Sequence, residues 1–255
     1  MNRNNERHFN QVPETHVSRT RFNRDQNILT TFDAGRLIPF YVDEVLPGDT
    51  FNVNTAAIIR MTTPKYPVFD DAYIDFYYFF CPNRILWDNF KHFMGEVDDT
   101  PWMPTKTYRV PKINFKIQDS RPNNMCPYEE SVLDYMGVPT KSIEANGNST
   151  TEINALPIRA YVKIWNEFFR DQNVGNPATI TTGDEDITYD DDPELDPNQK
   201  SLTSAIAGGR CLPVSQFHDY FSSCLPYPQR GPEVTIALTG NAALRAYTDP
   251  ERTIS

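Results

Sequence analysis

Glycine, cysteine and histidine are all scarce in this chain: 11, four and four among 255 residues. Each scarcity removes a class of function. Cys81, Cys126, Cys211 and Cys224 form no CxxC pair, so they read as reduced thiols in packed sites rather than as a disulfide framework. The spacing of Cys211, His218 and Cys224 fits no common zinc pattern. No GxSxG, GxGxxG, Walker loop or HExxH is present. His218 and Asp219 lie near Ser222 and Ser223, but neighbours on one helix point in different directions and do not converge as a triad. Two of the histidines, His8 and His16, fall in the polar N-terminal stretch, which leaves little for general acid–base work. No run of about 18 apolar residues exists, so no membrane span is expected. MNRNNERHFN has no apolar segment of the kind a signal peptide needs. An enzyme is not expected, and neither cofactor nor metal is implied.

Proline and aromatic residues are what the chain has in quantity: 21 prolines, 16 phenylalanines and 13 tyrosines. So many prolines favour broken strands and loops over long helices. Phe51, Val53, Thr55, Ala57, Ile59 and Met61 alternate, which predicts a long strand with one buried face. Tyr73, Ile74, Phe76, Tyr77, Tyr78, Phe79 and Phe80 form an apolar run broken only by Asp75, which predicts a strand covered on both faces. Leu29–Ala34 and Leu37–Val45 read as further strands, the second made irregular by Pro39. Ile113, Phe115 and Ile117 alternate with polar residues as a short half-exposed strand. After Cys81 the period changes. Leu86, Phe90, Phe93 and Met94 mark one helix face, with Gly95 at its end. A stronger helix is expected over 157–170, with Ile158, Tyr161, Val162, Trp165, Phe168 and Phe169 on its stripe, Arg159 and Lys163 off it, and Pro157 at its start. A third is expected over 213–224, through Phe217, Tyr220, Phe221 and Cys224, and Val234, Ile236 and Leu238 open another strand.

Charge is distributed unevenly. The net charge is −10, but residues 184–196, DEDITYDDDPELD, hold eight acidic groups and no basic one. They offer oxygen ligands for calcium but lack EF-hand spacing and its central glycine, and a block of like charge is expected to stay solvated. Residues 1–24 carry five arginines against two glutamates. Arg19, Arg21 and Arg24 alternate with Thr20, Phe22 and Asn23, so an extended arm would show Arg19 and Arg21 on one side and a packed Phe22 on the other. Two readings stand side by side: a strip contacting the phosphates of single-stranded DNA, or an arm lying on a neighbouring acidic subunit. Trp102 and Tyr108, in proline-rich irregular segments, are candidates for an interface or for stacking on a base.

Four long segments carry a resemblance, in collinear order: SRTRFNRDQNILTTFDAGRLIPFYVDEVLPGDTF at 18–51, YPVFDDAYIDFYYFFCPNRILWDNFKHFMG at 66–95, LPIRAYVKIWNEFFRDQN at 156–173 and FHDYFSSCLPYPQRGP at 217–232. Together they resemble the major capsid proteins of the Microviridae, small icosahedral single-stranded-DNA bacteriophages, in their gokushovirus branch. The resemblance implies a mainly β fold: a viral jelly-roll β-sandwich with long helix-containing insertions, incomplete in this chain, because capsid proteins of that family are roughly twice as long. It implies that residues 28–255 are the N-terminal part of a jelly-roll domain, while the polar, aperiodic residues 1–27 read as an extended basic arm and the charge run marks an acidic surface loop at about 176–200. The implied function is that of a structural subunit of an icosahedral phage capsid. Its partners would be copies of itself, the single-stranded DNA genome and other phage structural proteins, with no membrane. Its place would be the virion, assembled in the bacterial host cytoplasm. A β-sandwich module binding carbohydrate through Trp102, Tyr108 and the acidic loop is the alternative.

Overall fold

A computed structural model of the chain describes residues 18–69, 71–97, 106–117, 129–139, 149–173, 175–188, 205–216 and 220–221. It divides into a short unit, Met1–Asp33, and a larger one, Ala34–Ser255. In the short unit the described residues, 18–33, are exposed and carry no helix or strand.

The centre of the larger unit is the strongest stripe in the sequence. Helix α3, Leu156–Ile164, continues without a break into a π-helical turn, Trp165–Phe169. Asn154 accepts a hydrogen bond from the Leu156 amide at 2.9 Å, and Pro157 occupies the first turn, where a missing N–H costs nothing. Ile158, Tyr161, Val162, Trp165 and Phe169 are buried as the spacing predicts. Phe168 is not: it is 66% exposed. The Arg170 amide bonds back to the Trp165 carbonyl, five residues away, at 2.9 Å. The extra residue in that turn shifts the register by one position, carrying Phe169 inward and Phe168 outward.

Around this helix gather Ile113, Val132, Leu133, Ala178, Ala205, Ala207, Cys211 and Leu212. Strand β1, Lys112–Ile117, forms as its alternation predicts and buries Ile113 completely. It pairs antiparallel with β2, Ser149–Asn154, from Lys112 opposite Asn154 to Ile117 opposite Ser149, and parallel with the two-residue β3, Ile187–Thr188. The order is β2-β1-β3.

Helix α2, Val132–Tyr135, is one turn long, too short to persist by propensity. Ser131 caps it by accepting from the Asp134 amide at 3.2 Å, while Asp134 accepts from the Glu130 amide at 2.9 Å. Its first two amides are satisfied from outside, Val132 by the Gly209 carbonyl and Leu133 by the Gly208 carbonyl. Gly208 has φ +82°, and a Cβ there would lie 2.3 Å from Cγ of the buried Leu133. Gly208→Ala combines left-handed strain with overpacking and is expected to cost about 2–4 kcal/mol. Chemical denaturation with an unchanged m-value would register it.

The helix expected after Cys81 is broken. A 3-10 turn, Asn83–Ile85, is followed by the single turn α1, Phe90–Phe93, ended by Gly95 at φ +105°. Leu86 is buried as expected, but the anchor is Trp87, fully buried and off the predicted stripe, while Phe93 and Met94 are exposed. Trp87 instead packs with Leu86 and Leu156, bordered by Cys81, Phe90, Tyr108 and Val110.

The expected strands before residue 81 differ most. Residues 29–34, 37–45, 51–61 and 72–80 form no ladder among the described residues; the one bridge before residue 81 lies between two of these ranges, at Arg36 opposite Pro213. Phe51, Val53, Ile59 and Met61 are all exposed, so the expected buried face of 51–61 is absent. A strand needs a neighbouring strand to satisfy its backbone and cover its side chains, and among the described residues no ladder forms with these segments. No two-sheet sandwich is formed by the described residues, whose only named sheet is the three-stranded one. The helix expected at 213–224 is not seen in residues 213–216, where Val214 bonds to the Gly35 carbonyl and Ser215 to the Phe169 carbonyl. Tyr220 and Phe221 are exposed and lie in a turn. Most of that helix, and the strand from Val234, lie outside the described residues.

Candidate interaction surfaces

Arg19, Arg21 and Arg24 are exposed on a segment without helix or strand. Phe22 is 79% exposed, so the packed anchor expected opposite the arginines is not formed. Trp102 lies outside the described residues. Tyr108 is half-buried and stacks on His92, with ring centroids 5.5 Å apart at 22°, beside the Trp87 cluster. Its position is better suited to holding α1 against Val110 than to offering a free ring face.

The acidic segment begins as part of the packed structure. Asp184 accepts from the Trp87 indole at 2.5 Å and from the Asn89 amide at 2.8 Å. Asp186 pairs with Arg109 and accepts from the Lys112 amide at 3.1 Å. Asp88 accepts from the Thr182 hydroxyl at 2.7 Å. The expectation of a wholly solvated block is therefore corrected at Asp184 and Asp186, while the Glu185 side chain between them is exposed; Asp190 onward lies outside the described residues.

Arg159 joins these pieces. It was expected on the wet side of α3, yet it is fully buried. Its guanidinium donates to the carbonyls of Gly183 at 2.9 Å, Leu86 at 3.2 Å and, at 3.4 Å, Glu185. Burial lowers its proton affinity, and the nearby Asp184, Asp88 and Glu185 oppose that shift. One cation thus ties the turn after Cys81 to the start of the acidic segment. The sequence does hold a signal for this: Leu156 and Ala160 flank Arg159 on a second apolar strip of the same helix, and both pack with the Trp87 cluster.

A second clasp holds the other side of α3. The Tyr161 hydroxyl donates to the Leu37 carbonyl at 2.9 Å and accepts from the Leu212 amide at 2.8 Å. Arg36 donates to the Cys211 carbonyl at 2.7 Å. Burial pushes the Cys211 thiol up to about 12 and the Tyr161 phenol well above its usual value. Both groups are neutral in the fold and ionise more readily once unfolded. Their contribution to stability is full below about pH 9 and is lost as pH rises through the folded values, at up to about 1.4 kcal/mol per pH unit for each group. Urea melts between pH 8 and 11 are expected to show that decline, and Cys211→Ala is expected to make it shallower.

The aromatic segment lies between these parts. Tyr77 and Phe79 meet Phe169 at 5.4 and 5.9 Å, and Phe79 meets Phe168 at 5.0 Å. Phe76 and Tyr78 meet Phe40 at 5.5 and 5.7 Å, and the Tyr78 hydroxyl contacts Thr55. Odd and even residues thus face opposite ways, as in a strand, although every residue from Tyr73 to Phe80 remains exposed.

One polar cavity of about 290 Å³ is lined by Lys163, Asn166, Glu167, Arg170, Gln172, Pro177 and Ile180. Lys163 pairs with Glu167, and the Asn166 amide is bonded in both directions to Ala178. Nothing in it pairs a nucleophile with a base. Among the described residues no cluster of His, Cys, Asp and Glu could hold a metal ion.

The chain is similar to capsid protein VP1 of Bdellovibrio phage phiMH2K, 36% identical over 245 residues, covering 96% of this chain and 40% of that protein. VP1 of Chlamydia phage 1 is 34% identical over 254 residues, with 94% and 40% covered, and VP1 of Spiroplasma virus 4 is 28% identical over 234 residues, with 92% and 39% covered. The chain thus spans about 40% of the length of these curated relatives. The family model described as capsid protein (F protein) matches residues 10–254, nearly the whole chain, and the chain belongs to that capsid family.

Proposed function

We propose that this chain is part of a structural subunit of an icosahedral bacteriophage capsid enclosing single-stranded DNA, and not an enzyme. The observation that carries this reading is the unbroken family match over residues 10–254. The chemistry of the described residues supports it: buried groups serve as ties, and the surface offers aromatic and charged strips rather than a catalytic set. A capsid acts through repeated complementary surfaces that close with symmetry.

In this reading residues 28–255 supply the N-terminal part of a jelly-roll sandwich, with 51–61 and 72–80 as core strands once their partners are present. Residues 1–27 are the basic arm, and the acidic surface loop at about 176–200 is fastened at Asp184 and Asp186. Other copies, the genome and further phage structural proteins are the partners, in a virion assembled in the host cytoplasm. Trp102 and Tyr108 stay as interface or base-stacking candidates. Electron microscopy of the subunit, expressed at the full length of its relatives, is expected to show closed particles; monomers alone would overturn the reading.

Arg19, Arg21 and Arg24 are assigned to DNA phosphates. Each phosphate neutralised on a single strand adds about 0.7 to the slope of log affinity against log salt, so replacing all three by Gln is expected to flatten the slope by about 2. Titration of an oligo(dT) strand measures it. An unchanged slope with weakened subunit association would make the arm a clamp between subunits instead.

A further inference from the structure

The polar cavity beside α3 holds charged side chains that neither clasp uses. Its lining comes from α3, from the π-helical turn Trp165–Phe169 and from the segment 170–180. Turns of that kind occur frequently at functional sites, because the inserted residue re-aims the side chains around it. One wall is held firmly. The Asn166 carboxamide donates to the Ala178 carbonyl and accepts from the Ala178 amide, both at 2.9 Å, which fixes Pro177 beside the π-helical turn. Arg170 donates through Nη1 to the Gly175 carbonyl at 2.8 Å, and the Gly175 amide donates to the Asp171 carbonyl at 2.8 Å. A Cβ at Gly175 would lie 3.1 Å from that Asp171 oxygen and 3.6 Å from Cγ of Arg170, so the backbone closes directly over the arginine stem.

Positive charge and donors are left over. A guanidinium carries five N–H donors, and the Gly175 carbonyl takes one of them. Arg170 Nε is buried with no hydrogen-bond partner among the described residues. Lys163 is held by Glu167 at 3.3 Å, across one helical turn, in an exposed pair of the kind that yields readily. We propose that this cavity binds a nucleoside monophosphate, either free or as one unit of a strand. Arginine takes phosphate oxygens through paired N–H bonds and lysine takes them as a point charge, and the cavity has one of each. Its volume, about 290 Å³, is far more than a bare phosphate fills and lies at the lower end of pockets that enclose small organic ligands. Pro177 and Ile180 give apolar surface for the face of a base. Glu167 offers acceptors only, which suit the exocyclic amino group of a base such as cytosine. Binding thus transfers Lys163 from Glu167 to the phosphate and gives Glu167 the amino group in exchange. The site is built within one chain and does not depend on the capsid reading.

Isothermal titration of the full chain with deoxycytidine monophosphate tests the assignment. The expected result is saturable one-to-one binding, with deoxycytidine and inorganic phosphate each at least about tenfold weaker. Lys163→Gln breaks only the exposed pair, so it is expected to weaken binding at least about tenfold at an unchanged melting temperature. Arg170→Gln is expected to weaken binding as much, and hydrogen exchange in α3 checks that its fold survives the loss of the bond to Gly175. An oligo(dC) strand without terminal phosphates distinguishes the two sources. A loss of strand affinity in Lys163→Gln assigns the site to a unit of a strand, and a loss confined to the monophosphate assigns it to the free nucleotide. Absence of binding, inorganic phosphate bound as tightly as the nucleotide, or affinity unchanged in both variants would each overturn the proposal. None of these results would touch the capsid reading, which is decided by particle formation.

Discussion

Arg159→Ala is expected to lower stability by about 3–5 kcal/mol, read as a loss in the midpoint of a urea melt. The guanidinium is fully buried and bonds to the carbonyls of Leu86, Gly183 and Glu185. Truncation leaves a cavity and strands three acceptors, each a desolvated group without a partner. Removing one side of a buried charged arrangement costs more than the arrangement contributes, because the remaining groups stay out of water. Arg159→Lys is expected to rescue little, since a single ammonium on a flexible stem cannot span three carbonyls on a planar fork. The same connection makes residues 184–186 structural. Replacing only these three by Gly-Ser is expected to loosen Trp87 and Asn89, visible as a shift in tryptophan fluorescence before global unfolding. An Arg159→Ala variant as stable as the parent would mean that the helix–turn tie carries no weight.

Trp165→Ala is expected to cost a similar amount, about 3–5 kcal/mol, for a different reason. The indole is 4% exposed at the junction of α3 and its π-helical turn, and its N–H donates to the Pro213 carbonyl at 2.6 Å. Its loss combines a large cavity with an acceptor left dry. Trp165→Phe keeps most of the volume and loses the hydrogen bond, so it is expected to retain more than half of the stability lost in the alanine variant. Calorimetry on the three proteins separates packing from polarity. Equal losses for phenylalanine and alanine would place the whole effect in the bond to Pro213.

The parts of this fold that were legible in the sequence are those whose signal is local. The stripe Ile158, Tyr161, Val162, Trp165 is a helix because its spacing buries one face, whatever that face meets. Lys112–Ile117 forms a strand on its alternation alone. Phe168 was read wrongly because a π turn is a register shift that side-chain spacing does not announce. Arg159 was read as wet because charge predicts exposure, except where carbonyls from distant segments converge on it. Trp87 was missed because its burial depends on Leu156 and Asp184, 69 and 97 residues further along. The arginines at 19, 21 and 24 were legible as composition alone, because the described residues 18–33 carry no helix or strand whose spacing could place them.

By itself the sequence determined the class of this protein: long collinear segments place it in a capsid family, and missing motifs turn the reading away from catalysis. It also determined where apolar surface is made, in the aromatic run at 73–80 and along α3. Only the tertiary structure decided which of that surface is used. Along α3 Ile158, Tyr161, Val162 and Trp165 are buried, and Arg159, Tyr161 and Trp165 fix neighbouring carbonyls in place. Along 51–61 and 71–80 the residues are exposed, since a helix satisfies its backbone from within, whereas a strand requires another chain segment beside it.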